Sequence, residues 1–146
     1  MKLNTKNFGE IEIDEKEIIT FDQPVLGFET DKRYVFMVDD SLNGEFIWLQ
    51  SVDNGDLCFV LANPEFFFED YKPDFSENLE SVIGKGTYEI WLVMVVNDDF
   101  SESTVNMKSP IIVNLEGRRA AQLVGENNYS VRYKLFKENK EVQSIC

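Results

Sequence analysis

"FIWLQSVDNGDLCFVLANP", residues 46–64, decides the fold. Two apolar runs, Phe46-Ile47-Trp48-Leu49 and Leu57-Cys58-Phe59-Val60-Leu61, flank the polar tetrapeptide Asp53-Asn54-Gly55-Asp56. Aromatic and β-branched residues of this kind fit a pleated, half-buried surface. Asn-Gly supplies the positive φ angles of a tight hairpin turn. The stretch therefore predicts two antiparallel strands joined by that turn.

The same signal recurs outward in both directions. Glu10-Ile11-Glu12-Ile13-Asp14 alternates strictly, as a half-buried strand does. Tyr34–Val38, Tyr88–Val96 and Ile111–Val113 are further β-rich runs, and Asn43-Gly44 is a second turn candidate. In Tyr129–Leu135 the residues Tyr129, Val131, Tyr133 and Leu135 would share one face. Many short strands with turns between them predict an all-β protein, a compact antiparallel β-barrel-like domain. One or two short helical turns interrupt it. Asn63 caps one with Pro64 at its first position. Asp74 and Glu77 resemble a capping box before Leu79, Val82 and Ile83. Trp48, Phe59, Trp91 and Val93 are assigned to the core.

A chain of 146 residues, 43% of them hydrophobic, suits one domain over residues 1–146. Its polar end, 137–146, is expected to fray. The longest apolar run, Ile90–Val96, is too short to span a bilayer, and no N-terminal signal is visible. A soluble, cytoplasmic monomer without membrane contact is the expectation. Cys58 reads as a small buried hydrophobe and Cys146 as an exposed terminal residue. Two cysteines form no disulfide scaffold. Asn128-Tyr129-Ser130 matches a glycosylation acceptor, which has no meaning without a secretory signal.

The net charge is −13, unevenly placed. Val38–Glu80 holds eleven acids and one base, Lys72, whereas Arg118–Lys140 holds six bases and two acids. Such a body disfavours direct nucleic-acid binding, which needs cations against phosphates. It suits a basic protein partner, and equally a surface kept acidic for solubility.

Histidine is absent, which removes Ser-His-Asp and Cys-His catalysis and the commonest zinc ligand. Gly84-Lys85-Gly86 is a turn and no phosphate loop. Asp39, Ser41, Asn43 and Gly44 fall at calcium-loop positions, but Gln50 stands where a bidentate glutamate belongs, so a polar hairpin turn is expected. Carboxylate pairs such as Glu69-Asp70 and Asp98-Asp99 read as loop surface. Neither an enzyme nor a cofactor or metal site is expected.

What remains is a protein that works by binding. In "NPEFFFEDY", residues 63–71, three phenylalanines cannot all enter one core from one strand. Around a helical turn they fan apart, with Phe66 expected inside and Phe68–Tyr71 at an interface. The candidate partner-binding residues are Phe67, Phe68, Glu69, Asp70 and Tyr71, with Asp39, Asp40 and Glu45 as acidic support. Aromatic anchors supply contact area and acids steer the encounter. The rival reading is a small-ligand- or carbohydrate-binding β-barrel, hydrolytic if paired carboxylates face a cavity.

Several segments together resemble the flagellar assembly factor FliW family. They are "TKNFGEIEIDEKEIITF" (5–21) with "GFE" (27–29), the 46–64 stretch with its W-L-Q-S and N-P elements, "SPIIVNLEGRRAAQLV" (109–124) and "YSVRYKL" (129–135). Asp22 stands where that family often has proline, and Tyr133 where it commonly has histidine. The resemblance implies a cytoplasmic regulator that acts by partner switching. It would bind flagellin and, when free of flagellin, bind and antagonise the RNA-binding translational repressor CsrA. Asn114, Arg118 and Gln122 match the family's polar pattern after its P-I-I-V strand. A structural role for them, or for Arg118 a hold on an internal carboxylate, stands beside a functional one.

Overall fold

A computed structural model describes residues 1–136. The tail expected to fray, 137–146, and with it Cys146, lies outside the described residues. Eleven strands follow in chain order: β1 Lys2–Thr5, β2 Gly9–Glu12, β3 Ile19–Gln23, β4 Arg33–Met37, β5 Phe46–Ser51, β6 Cys58–Ala62, β7 Tyr88–Val95, β8 Thr104–Val105, β9 Ile111–Asn114, β10 Arg119–Gln122 and β11 Tyr133–Lys134. One short helix, α1, covers Leu79–Ile83.

Seven strands close into a barrel in the order β3-β4-β5-β6-β7-β9-β10 and back to β3. Six of these seams are antiparallel. The seventh is not: β10 runs parallel to β3, pairing Ala120 with Phe21, with a register shift after Ala120. Parallel neighbours need a long crossover rather than a hairpin, so local turn chemistry gives no sign of this pairing.

Alternation along each strand fills the barrel. Ile19, Phe21, Tyr34, Leu49, Leu61, Trp91, Ile111 and Val113 form one buried cluster. The rings of Phe21 and Tyr34 meet edge-on at 5.1 Å. Each fully buried side chain of this size contributes roughly 1.5–3 kcal/mol. The barrel interior is occupied by these side chains. Trp91 is buried as expected, but Phe59 and Val93 are only half-buried against this cluster. Trp48 points to the other face, where it is half-buried edge-on to Phe8 at 5.7 Å.

Three further layers cover the barrel's outer face. The β1–β2 hairpin lays Leu3 and Ile13 over Val35 and Val52. Helix α1 brings Ile83 onto Ile112, Ala121 and Leu123. Its cap is Asn78, whose side chain accepts from Ser81 N, and not Asp74. Asp74 is tied instead to the 126–127 loop through its carbonyl and its amide. The third layer joins Ala62, Leu92, Met94, Val105, Met107 and Leu135. Of the expected strand 129–135 only Tyr133–Lys134 forms, because β8 offers just two pairing positions. Val131 is exposed and Leu135 buried.

The β5–β6 turn holds a second correction. β5 and β6 pair as predicted, from Phe46↔Ala62 to Gln50↔Cys58. Neither Asn54 nor Gly55 has positive φ, so this is no tight two-residue turn. The buried Gln50 amide holds the loop from within, donating to the carbonyls of Ser51, Gly55 and Leu57. Gly55 is required by space: a β-carbon there would collide with the carbonyl oxygen of Asn4. Between β4 and β5, by contrast, Asn43 and Gly44 do adopt positive φ, 54° and 81°.

Candidate partner-binding surface

The segment after β6 starts as the sequence predicts. The Asn63 side chain accepts from Glu65 N at 3.0 Å, and buried Pro64 opens a 3-10 turn over Pro64–Phe66. The rings then part differently from expectation. Phe66 is 53% exposed. Phe67 and Phe68 are half-buried in the third outer layer, Phe67 beside Phe46 at 5.4 Å and Phe68 edge-on to Tyr133 at 5.6 Å. Tyr71 is also anchored inward. Its hydroxyl donates to the Met107 carbonyl at 2.7 Å, and burial pushes its phenol well above the ordinary tyrosine range. A 3-10 turn winds at three residues per turn, tighter than an α-helix, and the apolar layer to be covered lies on its C-terminal side. Phe66 therefore faces out, and Phe67, Phe68 and Tyr71 fasten the segment down.

The predicted acidic residues lie in two places, the β4–β5 loop and this segment. Glu69 and Asp70 are exposed on it, and Asp39 and Asp40 are exposed on the β4–β5 loop, with Glu45 half-buried. The structure brings the loop and the segment together. Asn63 N donates to the Glu45 carbonyl at 2.8 Å. The Phe66 ring lies over Gly44, near enough that a β-carbon there would meet it at 3.9 Å. The Asp39 carboxylate caps a 3-10 turn, Asp40–Leu42, accepting from the Ser41 hydroxyl at 2.7 Å and from Ser41 N at 3.0 Å. Those bonds, the hydroxyl's first, hold its carboxyl below the usual range. The calcium-like spacing thus serves a polar turn.

Two grooves flank the segment. One, of about 560 Å³, runs between Phe68–Tyr71 and the stretch Asn128–Ser130. The other, of about 410 Å³, separates Glu65, Phe68, Glu69 and Tyr71 from Tyr88–Trp91 at the start of β7. In it the Trp91 indole donates to Glu89 Oε1 at 3.2 Å. Sequence reasoning missed Glu65, Phe66 and Glu89 as surface residues of this site. No signal in the sequence points to Glu89, because the face it shares with Trp91 reads as core. No group of three or more metal-ligating side chains occurs among the described residues. Among them no helix is long and apolar enough to cross a membrane.

Two of the late polar residues, Asn114 and Gln122, are buried and tie loops to the barrel. Buried Asn114 donates to the carbonyls of Ile83 and Lys85 and accepts from Gly117 N. Gln122 accepts from Leu26 N at 2.7 Å and donates to the Ser109 carbonyl at 2.8 Å. Arg118 holds no internal carboxylate: it is exposed at a turn with φ 54°. Its neighbour Arg119 pairs with Asp22 at 2.8 Å across the parallel seam.

Comparison with known proteins agrees with this architecture. The flagellar assembly factor FliW of Lachnospira eligens is 37% identical over 143 residues, covering 93% of this chain and 95% of its own. That of Geobacillus thermodenitrificans is 36% identical, covering 94% of this chain and 97% of its own. A crystal structure of the flagellar assembly factor FliW superposes with a TM-score of 0.84 at 33% identity, over 93% of this chain and 97% of that one. Residues 2–135 match the sequence profile of the FliW protein family, and the chain belongs to that family.

Proposed function

We propose that this protein is a cytoplasmic, monomeric regulator of flagellar assembly that binds flagellin and, when free of it, binds and antagonises the repressor CsrA. It would control flagellin translation by partner switching, without catalysis, cofactor or direct contact with nucleic acid. One observation carries the reading beyond family membership. An exposed phenylalanine, Phe66, sits where two acidic elements meet, the Asp39–Glu45 loop and the Glu65–Asp70 segment. An aromatic anchor among acids suits a protein partner that carries cations, as an RNA-binding protein must. The half-buried rings of Phe67, Phe68 and Tyr71 fix the segment's shape before a partner arrives, which lowers the ordering cost of binding.

The test is calorimetric titration of the purified protein with flagellin and with CsrA, each alone and then in competition. Saturable binding of both, with flagellin preventing CsrA binding, is expected. Binding of neither partner would overturn the proposal.

A further inference from the structure

The 410 Å³ groove has one wall of unusual kind. β7 is paired with β9 along Tyr88–Trp91 on one side. On its other side β6 pairs only from Leu92 to Met94. The edge of β7 at Tyr88–Trp91 that faces the groove thus has no strand partner among the described residues. An unpaired edge is a template for an added extended segment. The groove beside it is lined by three carboxylates, Glu65, Glu69 and Glu89, and by the rings of Phe68, Tyr71 and Trp91, with no cationic side chain in the lining. The Trp91 indole fixes one oxygen of Glu89, and the other takes part in no described hydrogen bond.

We propose that this groove receives an extended, arginine-bearing segment of a partner protein, laid along the free edge of β7 with its guanidinium between Glu89 and Glu69. The proposal rests on the reading that residues 63–71 face a partner, and it names the chemistry they would take. A planar guanidinium bonds carboxylates in a fixed fork and stacks on aromatic faces, which a lysine ammonium does not match. The groove offers both features, and its uncompensated carboxylates select against acidic segments.

The test uses the full chain, labelled with nitrogen-15, titrated with the blocked tripeptide acetyl-Val-Arg-Val-amide and with its neutral counterpart carrying citrulline. The arginine peptide is expected to shift the Trp91 indole N–H and the amides of residues 88–91, leaving the Trp48 indole in place. The citrulline peptide should need at least about tenfold more for the same shift, and Glu69→Gln/Glu89→Gln should weaken the arginine peptide by at least about tenfold, a free-energy change of roughly 1.4 kcal/mol in each case. Equal responses to the two peptides, or no response at Trp91, would overturn the proposal. Neither flagellin nor CsrA is present in this assay, so its failure is read separately from failure of the partner-switching proposal.

Discussion

The side-chain amide of Asn114 donates to the carbonyl oxygen of Ile83 at 2.9 Å, tying strand β9 to the last turn of α1. The same amide reaches the Lys85 carbonyl at 3.1 Å, and its oxygen accepts from Gly117 N. One buried residue thus closes both ends of the turns that flank the β7–β9 pair. Asn114→Ala removes three bonds, one buried and two part-buried, and leaves the Ile83 carbonyl without its partner. A loss of about 2–4 kcal/mol is expected, since each stranded group costs about 1–3 kcal/mol. Urea unfolding measures it. Gly86→Ala should be damaging for the same reason, because a β-carbon there would collide with the Asn114 side-chain oxygen.

Phe66 and Phe68 separate binding from stability. Phe66 is exposed, so Phe66→Ala should change unfolding free energy by less than about 0.5 kcal/mol. Phe68 packs on Tyr133 in the outer layer, and Phe68→Ala should cost about 1–3 kcal/mol through lost burial. If the exposed ring is the anchor, Phe66→Ala weakens at least one partner by about tenfold or more in a protein that melts normally. Unchanged affinity for both partners would return Phe66 to plain surface.

How far the sequence reveals this site depends on the range of the interaction. The alternation at Glu10–Asp14, the paired runs at 46–49 and 57–61 and the Asn63-Pro64 cap are local signals, and each formed the element it predicts. The parallel β3–β10 seam joins Phe21 to Ala120, and nothing near either residue announces the other. Gly55 carries a turn signature yet serves a contact with Asn4, fifty-one positions away. The fate of the three phenylalanines turns on which side of a 3-10 turn the outer layer lies, and that layer is assembled from residues as distant as Met107 and Leu135. Glu89 and Glu65 line one groove, beside the stretch of β7 that β6 does not reach.

The Arg33–Asp53 pair sets an acid dependence. Arg33 Nε donates to Asp53 Oδ2 at 3.1 Å, and a second guanidinium nitrogen bonds the other oxygen. This hydrogen bonding holds the Asp53 carboxyl below its ordinary value of 3.8. A carboxyl lowered in the folded state stabilises above its unfolded value and loses that contribution as pH falls through the folded one. The pair is nearly half exposed, so its worth is at most about 1 kcal/mol. Asp53→Asn should be less stable than the natural protein at neutral pH by up to that amount. The gap should close well below pH 3.8. Denaturant titrations of both proteins at the two pH values test this, and a gap that persists in acid would reject it.

Tyr34, like Tyr71, resists ionisation at alkaline pH. It is fully buried in the barrel, and burial raises its phenol far above the ordinary 10.0, with the nearby Asp31 charge adding to the effect. A raised folded value means that the stabilisation is complete below the unfolded value and is lost as pH climbs above it. Tyrosinate absorbance should therefore show Tyr34 ionising only together with unfolding. Tyr34→Phe should remove that part of the alkaline loss while keeping the edge-on contact with Phe21. If the tyrosinate signal of Tyr34 rises before circular dichroism changes, the burial argument is wrong.

Salt should distinguish the two proposed partners. Eleven acids and one base between Val38 and Glu80 place a negative field around Phe66 and both grooves. Attraction between this field and a cationic partner is long-range, and at physiological ionic strength it is screened beyond about 8 Å. An RNA-binding protein must present cations, so its association rate should fall steeply with added salt while its dissociation rate changes little. An amphipathic helix from flagellin would gain mainly from apolar contact, which salt does not screen. Stopped-flow association measured over a range of sodium chloride should then give a steep slope for CsrA and a shallow one for flagellin. Glu69→Lys with Asp70→Lys should flatten the first slope and leave the second in place. Equal slopes for the two partners would reject this division between steering charge and apolar anchoring.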